Sequence, residues 1–308
     1  MDALSDCRVP VIAGLTASGK SALAMDMADR FGGEIINADA MQVYRGFDIG
    51  TAKPTQKEQS DVPHHLIDIR DARETYSVAH YVKDAVAAIL AVLEKDRIPI
   101  VCGGTGQYTT ALLNGTRFWP LQIPASIEQE VDHMIAEYGF TGLLEHIKSL
   151  DPATAAKLSI RDEKRIRRFF QVFNATGMTR TEMNDWSNQG KPQFQYRPLC
   201  LVPEQHVLTA QIEARTRAMY SAGLVAETKG LLEQFGDPAL IPFSGIGYRH
   251  TVSYLQGQIS DRDMLDLTIR DTRRLAKRQR TWYRHHDHGP MAGSLNEAKS
   301  AYLSLMET

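Results

Sequence analysis

Near the start of this 308-residue chain, Val9-Pro10-Val11-Ile12-Ala13 runs directly into Gly14-Leu15-Thr16-Ala17-Ser18-Gly19-Lys20-Ser21. That octet matches G-x-x-x-x-G-K-S/T, with an apolar run before it and a helix-prone stretch after it. Gly14 and Gly19 let backbone N–H groups converge on phosphate oxygens, and the start of a helix adds partial positive charge. Lys20 supplies a mobile cation, and the Ser21 hydroxyl is a ligand type suited to Mg2+. Strand, phosphate loop and helix in this order predict a parallel α/β sheet. The loop implies a polyphosphate ligand, without saying which one or whether a phosphoryl group is what moves.

The first 115 residues continue the pattern. Apolar runs at 35–38 and 98–102 read as further strands, and residues 77–95 carry Val78, Tyr81, Val82, Ala85, Ile89 and Val92 at helical spacing. After Gly115 the texture changes, with helix-like pieces at 126–137, 141–149, 152–158 and 162–176 and no strand pattern. Residues 198–202 then resemble a returning strand, and 209–220 and 263–285 read as long helices. The fold expected is a P-loop parallel-sheet core with a helical insertion standing off the sheet. Residues 1–120 form the first part of the core, 121–192 the insertion, and 193–308 the return to the core with the C-terminal helices.

The formal net charge of −2 offers no uniform attraction for nucleic acid or membrane, so any basic footprint must be local. No window approaches the ~20 apolar residues of a membrane span, and the first residues lack the basic start and apolar core of a signal peptide. Cys7, Cys102 and Cys200 are far apart, which argues against zinc clusters and disulfides. These features predict a cytoplasmic protein with reduced thiols, no membrane association and no obligatory protein partner.

Three further segments carry chemistry. Asp39 falls just past the end of a predicted strand, the edge that faces the ligand crevice in open α/β sheets. A carboxylate there suits Mg2+ or a substrate proton, and it equally suits a helix cap. Gln42 offers an amide able to read a nucleobase edge, or is simply a solvated polar residue. At 98–108 a strand runs into Gly103-Gly104-Thr105-Gly106, either a close backbone approach or a tight turn. No Asp ends that strand, which counts against an ordinary ATPase, and the absence of N-K-x-D counts against a GTPase switch.

The third segment is basic. Residues 161–168 hold five cations against two anions, and residues 270–284 hold seven against Asp271, with Trp282 and Tyr283 interleaved. Charge runs are usually solvated faces. Two of them in a chain of net −2 mean segregated charge, the footprint of phosphate-backbone binding. Arg215 alone reads as a surface helix residue, and His64-His65 as a loop pair.

Together these segments resemble the tRNA dimethylallyltransferase (tRNA isopentenyltransferase) family in its bacterial form. The likeness covers most of the chain, and rests most specifically on D-I-G-T-A-K-P from Asp48 and L-A-K-R-Q from Leu275. The resemblance implies transfer of a dimethylallyl group from dimethylallyl diphosphate to the exocyclic amine of the adenine 3′ of a tRNA anticodon. It implies Asp39 as general base, Thr105 in the reaction channel and Lys20 among the catalytic groups. Gly14, Thr16, Ala17, Ser18, Gly19, Lys20, Ser21 and Arg215 would bind the diphosphate, with Ser21 helping to hold Mg2+. The anticodon stem-loop of tRNA would meet Asp39, Ala40, Met41, Gln42 and Thr105, together with Lys164, Arg165, Ile166, Arg167 and Arg168.

The chain departs from the family at Leu15, where Pro is common, and at Ala40, where Ser is common. The family often has an acidic residue and an Arg in the linker to the insertion, and neither is expected around Ala125 to Gln129, which leaves tRNA contacts there without support. A cysteine-free tail separates the chain from eukaryotic relatives with a zinc finger. Alternatives are an adenylate isopentenyltransferase acting on free AMP or ADP, a small-metabolite kinase, and a non-catalytic RNA-binding P-loop protein. The basic insertion helix favours tRNA over a mononucleotide.

Overall fold

The computed structural model describes residues 7–120 and 123–307. The N-terminal segment read for a signal, and the boundary drawn at residue 121, lie outside the described residues. Six strands form one parallel sheet: β1 (Arg8–Gly14), β2 (Gly33–Asn37), β3 (His64–His65), β4 (Ile98–Gly103), β5 (Gln195–Leu201) and β6 (Met291–Ala292), in the order β3-β2-β4-β1-β5-β6. The helices are α1 (Lys20–Phe31), α2 (Gln56–Asp61), α3 (Val78–Leu93), α4 (Gly106–Leu113), α5 (Ala125–Leu150), α6 (Pro152–Ala155), α7 (Glu163–Thr176) and α8 (Arg180–Ser187). After β5 come α9 (Gln205–Ser221), α10 (Leu224–Phe235), α11 (Ile246–Leu255), α12 (Asp261–His285) and α13 (Leu295–Glu307).

β1 is central because its alternating side chains feed two cores, one on each face of the sheet. Ile12 joins Leu23 and Met27 of α1 and Tyr302 of α13. Val9 and Val11 join Tyr81 and Ile89 of α3 and Tyr108 of α4. Each such side chain stabilises the fold by about 1.5–3 kcal/mol of burial. The phosphate loop therefore leaves the best-anchored strand in the molecule.

His64-His65 is not a loop pair. It pairs with Ile35 and Ile36 as the edge strand β3. His65 Nε2 lies 2.6 Å from the buried Glu34 carboxylate, which also takes Lys95 and Arg97. The buried Glu34 charge is thus met by three partners, one of them on the short edge strand.

The chain divides into two compact units, one made of residues 1–113 with 193–308 and the other Asn114–Pro192. The second unit holds α5 to α8. α5 breaks at Gly139 (φ 61°, ψ 174°), which is why its sequence reads as two helices. Val131, Leu143 and Ile147 of α5 pack on Ile166, Phe169 and Phe170 of α7. The Asp151 carboxylate accepts from the Thr154 and Thr181 N–H groups and from the Thr181 hydroxyl, which ties the start of α6 to α8. Although burial opposes ionisation, these donors outweigh it and hold the carboxyl at about 2.

Candidate active site

The phosphate loop is shaped by contacts with neighbouring strands. At Gly14 (φ 152°) a Cβ would lie 2.6 Å from the Leu201 carbonyl oxygen, so glycine is required by both conformation and space. Ala17 takes a left-handed conformation (φ 61°), a strained choice outside glycine that recurs at functional sites. Gly19 precedes the first turn of α1, where Lys20 and the exposed Ser21 begin the helix. The Ser18 hydroxyl is buried without a partner among the described residues, a state that an incoming oxyanion would relieve.

Two cations meet this loop. Lys20 Nζ donates to the Leu15 carbonyl at 3.3 Å, and Arg215 of α9 donates from Nη2 to Thr16 Oγ1 at 2.5 Å. Among the described residues neither makes an ion pair. Burial pushes Lys20 below its ordinary range, Arg215 beside it adds to the effect, and Asp39 and Cys102 oppose it. Arg215 is lowered in the same way by burial, with Asp39 opposing. Two dehydrated cations without a partner anion form a receptor for a polyanion.

A second loop follows β2. Asp39 Oδ1 accepts from the Met41 N–H at 2.9 Å, so the carboxylate orders a turn and no helix begins there. The helix-cap alternative is thereby removed. The Thr105 hydroxyl accepts from the Ala40 N–H at 3.0 Å, and the Thr105 N–H donates to the Ala38 carbonyl at 3.2 Å. Gly103 allows this approach, since a Cβ there would sit 2.2 Å from the Ala38 oxygen. The glycines after β4 thus bring the Thr105 loop and the Asp39 loop together.

Gln279 of α12 joins this arrangement to the phosphate loop. Its Oε1 accepts from the Thr16 N–H and its Nε2 donates to the Gly104 carbonyl, both at 2.8 Å. Thr16, Asp39, Thr105, Arg215 and Gln279 line one cavity of about 480 Å3, with Met219, Leu275 and Trp282 as apolar walls. Gln279 and the walls from α12 went unread in the sequence; the only signal was the L-A-K-R-Q string.

Other expected site residues fall elsewhere. Gln42 spends its amide Nε2 on the Thr51 and Ala52 carbonyls and so braces the D-I-G-T-A-K-P loop. Lys53 of that loop is buried and donates to the Tyr44 carbonyl and to the Asp48 and Asp68 carboxylates. Ile166 is fully buried in the second unit, so its side chain belongs to the core of that unit and cannot meet RNA. Arg167 turns to Glu128 and Asp132 as an ion pair. Glu128 corrects the expectation of no acidic residue in 125–129, and besides Arg167 it accepts from Gln171. Lys164, Arg165 and Arg168 remain exposed.

The α12 cluster is likewise partly committed. Asp271 gathers Arg249, His250, Arg270 and Arg274, Arg273 pairs with Glu213, and Arg280 donates to the Pro203 carbonyl. Among the described residues Lys277, Arg278 and Arg284 have no ion pair, so the basic surface is narrower than the residue count suggests.

The profile of the IPP transferase family matches residues 42–286. The chain is 42% identical to tRNA dimethylallyltransferase 1 of Trichlorobacter lovleyi and 41% identical to tRNA dimethylallyltransferase of Halorhodospira halophila, over 90% of each chain. The structure of the full-length tRNA isopentenylpyrophosphate transferase of Bacillus halodurans superimposes with a TM-score of 0.71 at 30% identity, covering 98% of this chain and 96% of that one. A eukaryotic dimethylallyltransferase acting on tRNA shares the fold, with a TM-score of 0.80 at 24% identity, covering 98% and 78%.

Proposed function

The chain belongs to the IPP transferase family, and from that membership we propose that its cavity transfers a dimethylallyl group from dimethylallyl diphosphate to the exocyclic amine of the adenine 3′ of a tRNA anticodon. The observation that carries this reading is the Arg215 guanidinium, without an ion pair among the described residues, lining the same cavity as the Asp39 carboxylate and bonded to Thr16 of the phosphate loop, while Lys20 donates to the Leu15 carbonyl of that loop.

The amine nitrogen bonds to the allylic carbon as the carbon–oxygen bond breaks, and the electron pair leaves with the diphosphate. Lys20, Arg215, the Ser18 hydroxyl and the N–H groups of residues 14–21 take up the charge gathering on the departing oxygens, the kind of contact that strengthens in the transition state. Asp39 accepts the proton of the amine, general-base help of ~10²–10⁴-fold. Thr105, with its oxygen lone pair engaged by Ala40, keeps its hydroxyl proton for the substrate.

The donor set also fits Mg2+. Ser21 and Asp39 offer suitable oxygens, and no cluster of three acidic, His or Cys ligands exists among the described residues. An ion held mainly by diphosphate oxygens and water matches that sparse set, and it would supply further charge neutralisation at the leaving group. Lys164, Arg165, Arg168, Lys277 and Arg278 are the exposed cations we assign to the RNA backbone. On this reading the enzyme works in the cytoplasm, where its tRNA substrate is found.

The test supplies labelled dimethylallyl diphosphate, Mg2+, bulk tRNA and AMP in competition. Label should enter tRNA, and Asp39→Asn should cut transfer ~10²–10⁴-fold while tRNA binding stays within a few-fold. Label in AMP alone, or full activity in the variant, would sink the proposal.

A further inference from the structure

The unit Asn114–Pro192 contains a cavity of about 490 Å3 whose rim includes the RNA-facing Lys164, Arg165 and Arg168 but whose interior the proposed reaction leaves unassigned. Its walls are Lys157 and Leu158 after α6, one face of α7, and Arg180 with Asn184 on α8. Five of its lining residues are cations (Lys157, Lys164, Arg165, Arg168 and Arg180) and none is acidic. All five are exposed, so the charge is available.

The floor is of the opposite character. Phe169 is 6% exposed, and Leu158 and Val172 are half-buried beside it. The walls are held in place from below by Asp151, which bonds Thr154 and Thr181 at the two rims. Asn184 Oδ1 accepts from Arg180 Nε at 3.2 Å, so the amide protons of Asn184 stay without a partner among the described residues.

A phosphate site has no use for an apolar floor, and a groove for an apolar peptide has no use for five cations. A nucleotide needs both, because its base is a flat apolar surface with a polar edge and its phosphates are anionic. We propose that this cavity takes one unpaired nucleotide of the tRNA anticodon loop, other than the modified adenine. Its base rests on Leu158, Phe169 and Val172, its edge meets the Asn184 amide, and its phosphates meet the cationic rim. This inference rests on the tRNA reading above.

The test uses the full-length protein and an anticodon stem-loop RNA in which each loop nucleotide, except the target adenine, is made abasic in turn. One position should bind roughly 5- to 100-fold more weakly, the scale of one stacked base. That loss should vanish in Val172→Glu, which places an anion on the floor, and should shrink in the Lys157→Ala, Arg180→Ala double variant. The double variant alters only exposed side chains, so it keeps the experiment decisive if the floor variant misfolds. A flat abasic scan with intact transfer to tRNA would overturn the cavity assignment alone, as would a loss undiminished in the double variant. Absence of RNA binding together with transfer to AMP would overturn the tRNA reading first.

Discussion

Replacing Arg215 with Gln should make the protein more stable and less active at once. Gln retains a donor for Thr16 Oγ1 but carries no charge. In the free protein burial pushes both Lys20 and Arg215 below their ordinary ranges, and Arg215 lowers Lys20 further. Neutralising Arg215 removes its own desolvation penalty and its repulsion of Lys20, so the Tm of the free protein should rise. During reaction the same change withdraws a charged donor from the leaving diphosphate, at a cost of about 2.7–4 kcal/mol or ~10²–10³ in kcat. Differential scanning calorimetry and single-turnover transfer at saturating donor give the two numbers. A lower Tm with an unchanged kcat would place Arg215 in the scaffold and refute the leaving-group role. Lys20 offers an internal check on sign. Its folded pKa lies below its ordinary 10.5, so between those two values the unfolded state holds the proton and stability rises with pH. In Arg215→Gln the Lys20 pKa moves up and that alkaline gain contracts.

Two further outcomes follow from packing and charge. Asp271, held well below the usual carboxylate range by Arg270, His250 and Arg249 against its burial, contributes stability that is full above the ordinary value of 3.8 and is lost as pH falls from there through its lowered folded value. Asp271→Asn should therefore cost about 3–5 kcal/mol at neutral pH, and melts taken down to acid pH should show the gap to wild type closing. Gly103→Ala would bring a Cβ within 2.2 Å of the Ala38 oxygen. Overpacking of that kind costs about 1–3 kcal/mol, and because the displaced backbone leads to Asp39, transfer should fall further than the melting temperature implies.

Sheet and loop were legible in the sequence because β1, β2 and β4 are buried on both faces and advertise themselves as apolar runs. α10, α11 and α13 went unread because their helical faces are mixed, and β3 and β6 because two-residue strands have no pattern to show. Asp39, Thr105 and the phosphate loop could be found from local strings. Arg215 could not be placed from residues alone, since its meaning comes from a contact 199 positions away. The basic helices were overread: counting Arg and Lys cannot reveal that Asp271, Glu213, Glu128 and Asp132 have claimed many of them. Ile166 and Gln42 failed for a related reason, each lying inside a stretch whose neighbours do carry exposed charge or chemistry.

Gln279 sits one residue from Arg278 and two from Lys277, on the same turn of α12. Its single amide sets the distance between Thr16 and Gly104, the two lips of the cavity. A rigid helix turn cannot shift its charged residues without shifting that amide as well. Whatever polyanion settles on Lys277 and Arg278 therefore also handles the spacer that gauges the mouth. On the function proposed above, acceptor and donor would be coupled through this one side chain, and each should change the other's affinity by the same factor.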